Sequence, residues 1–374
     1  MERVNASEQL TNGSSGAVSA NRHSFEEITS IVVPTVFALI IVLGFLGNML
    51  VILVITLNKK MRSSTNLLIL NLAVADLSFL LICVPFTAYK YTHPVWIFGN
   101  AWCKITNYFS YVCVWASVYT LVLMSLDRIF AVVFAVQLPN IRSRRNVTIA
   151  IISLWIVVFL ANIPALLFHG IFVYTKHSGQ SQRVTCHFLD VPLHVKKAFQ
   201  TCFFVFSFGL PVLILSVLYG CLLFFICNRR APGNSSNSQK AKRHVTGMVI
   251  TVVVMFVVCW LPLQMILLMN NYELYKPSIA STAILLAANC LAYMNSCLNP
   301  VLYALASTVF REAFYKFLFG KCLRFRRKAE SELERQQTKP PASCVTEIGR
   351  GDSQPLLNGQ DRSDNNHSHT DSSL

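Results

Sequence analysis

Polarity along the chain alternates between long apolar runs and short charged clusters. The runs Ile31–Leu57, Ile105–Leu126, Asn146–His169, Ala198–Asn228, Val245–Asn271 and Pro277–Phe310 contain no Asp, Glu, Lys or Arg, and Ser63–Tyr89 contains only Asp76. A helix needs roughly 20 mostly apolar residues to cross the hydrocarbon core of a bilayer, and all seven runs reach that length. Inside lipid no water satisfies an open backbone, so each run is predicted to be helical. The pattern predicts an all-α membrane protein, a bundle of seven transmembrane helices over residues 31–307. Beyond it, Phe310, Phe314, Phe317 and Leu318 recur at helical spacing with Arg311, Glu312 and Lys316 among them. That stretch, within 308–322, reads as a short amphipathic eighth helix lying in the membrane interface.

Composition agrees with the pattern. Of 374 residues 54% are hydrophobic and only 13% charged, with a mean hydropathy of +0.50. A soluble protein carries roughly 25% charged residues, so a disordered chain, a coiled coil and almost any soluble two-domain enzyme are excluded. The net charge of +15 does not mark a nucleic-acid binder, because the chain is charge-poor. It marks an asymmetry. With the N-terminus outside, the inner loops and proximal tail hold 19 basic residues and the outer segments 9. The positive-inside bias thus predicts an extracellular N-terminus and a cytosolic C-terminus. The first 30 residues lack an apolar signal-peptide core, so the first span is read as a retained anchor held by Lys59, Lys60 and Arg62.

The flanks are polar. Residues 1–30 form a predicted extracellular segment with glycosylation acceptors at Asn5 and Asn12, whereas the sequons at Asn146, Asn234 and Asn366 face the cytosol and stay bare. Residues 323–374 form a predicted disordered cytoplasmic tail. Cys322, among basic residues, is either palmitoylated or a free cytosolic thiol. The last residues, with Ser372 two before the apolar Leu374, match either a PDZ ligand or an ordinary polar end. Of twelve cysteines, Cys83, Cys113, Cys202, Cys221, Cys227, Cys259, Cys290 and Cys297 lie within spans and read as packing residues. Cys103 and Cys186 are the two placed outside, and they are predicted to form a disulfide that pins the loop Gly170–Lys197 across the mouth of the bundle.

Candidate chemistry is sparse. The chain contains no phosphate-binding loop, zinc cluster or nucleophilic triad, and it is not read as an enzyme. Asp76 is the one acid in the core of a span, and a carboxylate there must face the bundle interior. Asn48, Asn71, Ser117, Asn295, Ser296 and Asn299 can surround it. Two readings stay open: an oxygen-rich allosteric Na⁺ site, or a neutral hydrogen-bonded Asp that joins helices. Pro164, Pro211, Pro262 and Pro300 each fall inside an apolar run, where proline removes a backbone bond and permits a kink.

Taken together these residues carry a resemblance. Gly47-Asn48, Asn71-Leu72-Ala73-Val74-Ala75-Asp76-Leu77, Cys103, Asp127-Arg128-Ile129, Trp155, Pro211 with Tyr219, Phe256 with Cys259-Trp260-Leu261-Pro262, and Asn299-Pro300-Val301-Leu302-Tyr303 follow in order. Over about Ile31–Cys322 the chain resembles the rhodopsin-like G-protein-coupled receptors. The resemblance implies a two-state switch. Asp76, Ser117, Asn295 and Asn299 would form the sodium pocket; Trp260, Phe256, Val118 and Pro211 a packing relay; Asp127, Arg128, Tyr219, Pro262, Pro300 and Tyr303 the parts that rearrange. Ile129 stands where the family usually has tyrosine. Span six begins Lys240-Ala241-Lys242-Arg243, without an acid for Arg128, which implies a weak inter-helix ionic lock and raised basal activity.

Ser110 and Tyr293 stand where amine receptors carry an aspartate and opsins a lysine, which disfavours both ligand classes. Tyr89, Asn107, Ser110, Tyr111, His169, Gln264, Leu267, Asn289 and Tyr293 are the predicted ligand-pocket positions. Trp96-Ile97-Phe98-Gly99, Ser117–Arg128 and Leu291–Cys297 are similar to the galanin and allatostatin-A receptors. That similarity implies a short, amidated neuropeptide ligand, an inhibitory Gi/o-type G protein, and arrestin and receptor kinases acting through the tail of a plasma-membrane receptor. Other peptide or lipid receptors of the same fold, and more remotely a transporter or channel, are the alternatives. A transporter would need inverted repeats or several intramembrane charges, and the sequence has one acid and no repeat.

Overall fold

The computed structural model describes residues 2–93, 95–134, 139–175, 182–228, 236–276, 278–306, 310–317 and 319. Among these, seven helices are long and apolar enough to cross a membrane: Glu27–Leu57, Ser64–Thr92, Gly99–Val132, Arg144–Phe168, Leu193–Phe225, Ile250–Asn271 and Ile279–Leu305. They are spans one to seven, and the chain is a multi-pass membrane protein. The first continues a longer helix, Glu2–Leu57, so the polar N-terminal segment is joined to the span without a break. No proline precedes Pro34, so no residue there lacks the backbone donor that propagation of the helix needs.

Two spans begin on the same local device. Ser63 and Ser143 hold extended backbone and accept hydrogen bonds from the amides of Asn66 and Asn146, each three residues on. Such caps satisfy one of the open amides at a helix start, for about 1 kcal/mol. Spans two and three form the centre of the bundle: 61% of their most apolar stretch is buried, against 17% in span four and 22% in span five. Spans four and five therefore turn most of their surface to lipid.

Prolines act in three ways. Pro262 and Pro300 stay inside continuous helices. Pro164 does not: the helix stops at Ala161, and Ile163–Phe168 is a separate short helix with proline in its first turn. Pro85, outside the sequence expectation, divides span two in the same way, at Cys83. In span five a π turn, Val205–Gly209, precedes Pro211.

The carbonyls that lose their donors are taken by side chains. Pro300 cannot donate to Ser296, and Asn48 Nδ2 donates to that carbonyl at 2.8 Å. In the wide turn Phe206 would pair five residues on, with Pro211, and Tyr119 Oη donates to it instead at 2.9 Å. Gly44 explains how spans one, two and seven meet: a Cβ there would lie 2.5 Å from Leu80 Cδ1 and 2.9 Å from Cys297 Sγ.

Between spans four and five the chain forms an antiparallel hairpin, β1 (His169–Thr175) and β2 (Gln182–Phe188), with Ile171 opposite Cys186. The sequence reading left this segment as a loop. Its Ile-Phe-Val-Tyr run carries the β-branched and aromatic residues that favour a strand. Residues 310–317 and 319 are helical, with Phe310 and Phe314 buried and Arg311, Glu312 and Lys316 exposed. The Phe310 ring packs 5.6 Å from that of Tyr303, whereas Phe317 is exposed. Leu318, Cys322, Ser372, Leu374 and the tail 323–374 lie outside the described residues, as do the side chains of Asn5, Asn12, Cys227, Lys240, Lys242 and Arg243.

Candidate functional site

At one end of the bundle the hairpin is tied to its surroundings by covalent and hydrogen bonds. Cys103 and Cys186 form the predicted disulfide. The Trp96 amide donates to the Val184 carbonyl at 2.7 Å, and Asn100 Oδ1 accepts from the Ile171 amide at 3.1 Å. Trp96 Nε1 donates to the Gly99 carbonyl, and Phe98 packs edge-on to Phe86, Tyr89 and Trp96. Gly99 sits at φ +76° with open space where a Cβ would lie. The glycine of the Trp96–Gly99 motif is thus required by backbone conformation and not by crowding.

Beneath the hairpin lies a cavity of about 560 Å³. Tyr89, Asn107, Ser110, Tyr111, Gln264, Leu267, Asn289 and Tyr293 all line it, and so does His169. Spans two, three, six and seven therefore bring the sequence-selected positions onto one surface. Gln264 Nε2 donates to Ser207 Oγ, inside the π turn, at 3.2 Å. Asn289 Nδ2 donates to Tyr91 Oη at 3.0 Å. Tyr111 Oη lies 3.4 Å from His169 Nε2, and its ring meets Phe199 and Phe203. Burial, reinforced by Lys90 and His187, pushes the His169 imidazole down to about 4; only its hydrogen bond to the Ala165 carbonyl opposes this. The wall also holds Lys90, His93, His187 and Gln200, which the sequence reading had not placed there.

Aromatic rings carry the cavity floor inward. Phe37 touches Tyr293, Tyr293 meets Phe79 edge-on, Phe79 faces Trp260, and Trp260 leads through Phe256 to Phe208, with centroid spacings of 5.1–6.4 Å. Val118 is fully buried, as is Phe256. Trp260 Nε1 has no hydrogen-bond partner among the described residues.

Below these rings Asp76 is buried and fully engaged. Ser296 Oγ donates to Oδ1 at 2.9 Å and Asn299 Nδ2 to Oδ2 at 2.7 Å, with Ser117 a further hydrogen-bond partner. Asn295, expected in this cluster, is buried with its Oδ1 unpartnered among the described residues. Asn71 bridges elsewhere: it donates to Thr120 Oγ1 at 2.7 Å and accepts from Trp155 Nε1 at 2.8 Å, tying spans two, three and four. Ser296 from the polar shell thus reaches Asp76, while Asn71 does not.

At the opposite end Asp127 and Arg128 are both buried and paired with each other. Arg128 also bonds Thr65, whose hydroxyl donates to Asp127 Oδ2 at 2.7 Å. Arg142, from the short helix Pro139–Arg142, donates Nε to Asp127 Oδ1 at 2.9 Å. Its own carbonyl accepts from Ser64 Oγ at 2.6 Å. The sequence reading counted Arg142 only as a basic loop residue; fifteen positions from Asp127, it gave no local signal. Tyr219 Oη lies 2.8 Å from Ser125 Oγ. Tyr303 is buried with its hydroxyl unpartnered among the described residues.

The chain is similar to known proteins. The family described as 7 transmembrane receptor (rhodopsin family) matches residues 47–303. The allatostatin-A receptor of Bombyx mori is 44% identical over 80% of this chain and 82% of its own length. A galanin-like G-protein coupled receptor of Caenorhabditis elegans, npr-9, is 38% identical over 89% of this chain and 86% of its own. The galanin receptor type 2 of Mus musculus is 37% identical over 81% and 80%.

Proposed function

The chain belongs to the rhodopsin family of seven-transmembrane receptors, and on that premise we propose that a short, C-terminally amidated neuropeptide activates it and that it couples to an inhibitory Gi/o-type G protein. It is a G-protein-coupled receptor of the galanin and allatostatin-A group and not an enzyme. The observation that supports the peptide reading is the cavity, on which all the polar and aromatic positions converge under the pinned hairpin. Its volume of about 560 Å³ falls within the roughly 300–1,000 Å³ of small-ligand pockets, so it admits one end of a peptide and not its length. Amide and phenol groups from Asn107, Gln264, Asn289 and Tyr89 suit a peptide backbone, and the ring-lined floor suits aromatic side chains.

The signal is a change of population. An agonist acts only through its greater affinity for the open state, and here it rests on Tyr293, Phe79 and Trp260, the first rings of the inward chain. The donor set around Asp76 fits a hard cation: one carboxylate, the hydroxyls of Ser117 and Ser296, and the amide of Asn299. When bound, Na⁺ would supply a positive charge to Asp76 and favour the closed packing. In this reading the disulfide end faces outward at the plasma membrane, with glycans on Asn5 and Asn12. The tail would engage receptor kinases, arrestin and, through Ser372 and Leu374, a PDZ domain, with Cys322 acylated.

The test is a panel of amidated neuropeptides, galanin and allatostatin-A peptides included, on cells expressing the chain, with G-protein activation as readout. A nanomolar response abolished by blocking Gi/o supports the proposal; a lipid response with silence to every peptide overturns it. Asp76→Asn is expected to remove the effect of NaCl on agonist affinity, measured against choline chloride.

A further inference from the structure

Among the described cavity-lining residues Lys90 is the one lysine or arginine, and no Asp or Glu stands with it. It is half-buried at the disulfide end of span two. Its surroundings hold it without neutralising it. Nζ donates to Asn107 Oδ1 at 3.2 Å and lies 5.6 Å from the centroid of the Trp96 ring. Asn107 cannot swing away, because its Nδ2 donates to the Cys103 carbonyl at 2.7 Å and meets Cys186 Sγ at 3.2 Å. The hairpin, the disulfide, Asn107 and Lys90 therefore form one connected wall.

An ammonium has three donors and no acceptor, so one amide oxygen leaves two donors and the whole charge unanswered. A desolvated cation without a counter-charge is costly, and a ring face recovers only part of that cost. The histidines that line the cavity with it, His93, His169 and His187, bring no negative charge. Water serves its free donors in the open cavity, and a ligand that displaces that water has to supply an acceptor in its place.

We propose that Lys90 is the anchor for an oxygen acceptor of the ligand, a carboxylate or carbonyl, and that this corner of the cavity rejects ligands presenting an ammonium there. This rests on the peptide reading above and names the chemistry that reading leaves open. The charge-assisted hydrogen bond is stronger than a neutral one and directional, and repulsion between like charges disfavours entry of a free amino end at this corner.

The test uses the full-length receptor in cells, with synthetic allatostatin-A peptide and galanin as probes, G-protein activation as readout and surface immunolabelling as the control for folding. Lys90→Met keeps the length of the side chain and removes its charge; it is expected to raise the EC50 about 10- to 100-fold at normal surface level. Lys90→Arg should return to within a few-fold of wild type. A lysine scan of the peptide should find one position that silences wild type and is rescued by Lys90→Glu. An EC50 for Lys90→Met within threefold of wild type, at equal surface level, overturns the anchor while leaving the peptide reading intact. Silence of the wild-type receptor towards these two and every other peptide of the panel overturns the peptide reading and the anchor with it.

Discussion

Two cations sit at opposite ends of the bundle, and they are treated differently. Arg128 has Asp127 as its immediate neighbour, Thr65 beside both, and Arg142 on the far side of the carboxylate. Lys90 has an amide oxygen and a ring face. The first end carries its own counter-charge and is closed upon itself; the second is incomplete until something binds. In a two-state receptor this is a sensible division. The effector end must resist opening without a signal, and the ligand end must gain from occupancy.

Breaking the wall behind Lys90 gives the largest expected change. Replacing Cys103 and Cys186 together with serine frees the hairpin, and agonist potency should fall by roughly a hundredfold, with fewer receptors at the surface. If the two ends are separable, ligand-independent signalling should stay near wild type in the same cells. A potency unchanged after correction for surface level would mean that the remaining hairpin ties suffice.

Making the Arg128 end resemble the Lys90 end is the next test. Asp127→Asn leaves two guanidiniums without their acid, and basal G-protein activation is expected to rise about tenfold. Arg142→Gln should do the same more weakly, about threefold, because Arg128 still holds Asp127 and Arg142 is partly in solvent. Basal nucleotide exchange in membranes checks both, and an Arg142 variant exceeding the Asp127 variant would reverse the assigned order.

The smallest effect concerns His169. Its imidazole is held near 4 against an ordinary value of about 6.5, so the folded state binds fewer protons between those limits than the unfolded chain. The stability it contributes is present above about 6.5 and lost as pH falls through about 4. Purified receptor should lose a few degrees of melting temperature between pH 6.5 and 4, and His169→Gln should flatten part of that slope.

Much of this was legible in the residue order. Lipid permits so few backbone solutions that long runs with at most one charge place seven helices, and the compartment rule alone pairs Cys103 with Cys186. The cavity positions also emerged, since polar and aromatic residues near one end of several spans have only the interior to face. What stayed hidden depends on rotation and on loops. Asn295 and Ser296 are adjacent, about 100° apart on a helix, and spacing alone could not say which one reaches Asp76. Cys202 and Cys221 were read as packing residues but are exposed on the bundle surface, for the same reason. Lys90 gave no signal of a cavity position, because a lysine at a span end usually snorkels to the interface. Arg142 could be joined to Asp127 only once the intervening turn was known.

The wide turn in span five has a consequence of its own. A π turn takes one more residue than the α turn it replaces, so everything after Gly209 is out of phase by about 100° with everything before Val205. Phe199 and Phe203 meet Tyr111 in one phase, and Tyr219 meets Ser125 in the other. Deleting a single codon between 205 and 209 would restore an even helix and bring the two halves into step. Both alignments could not then survive together. One residue of chain length thus acts as a gear between the ligand-facing and effector-facing parts of the span, and each can vary in sequence without disturbing the aim of the other.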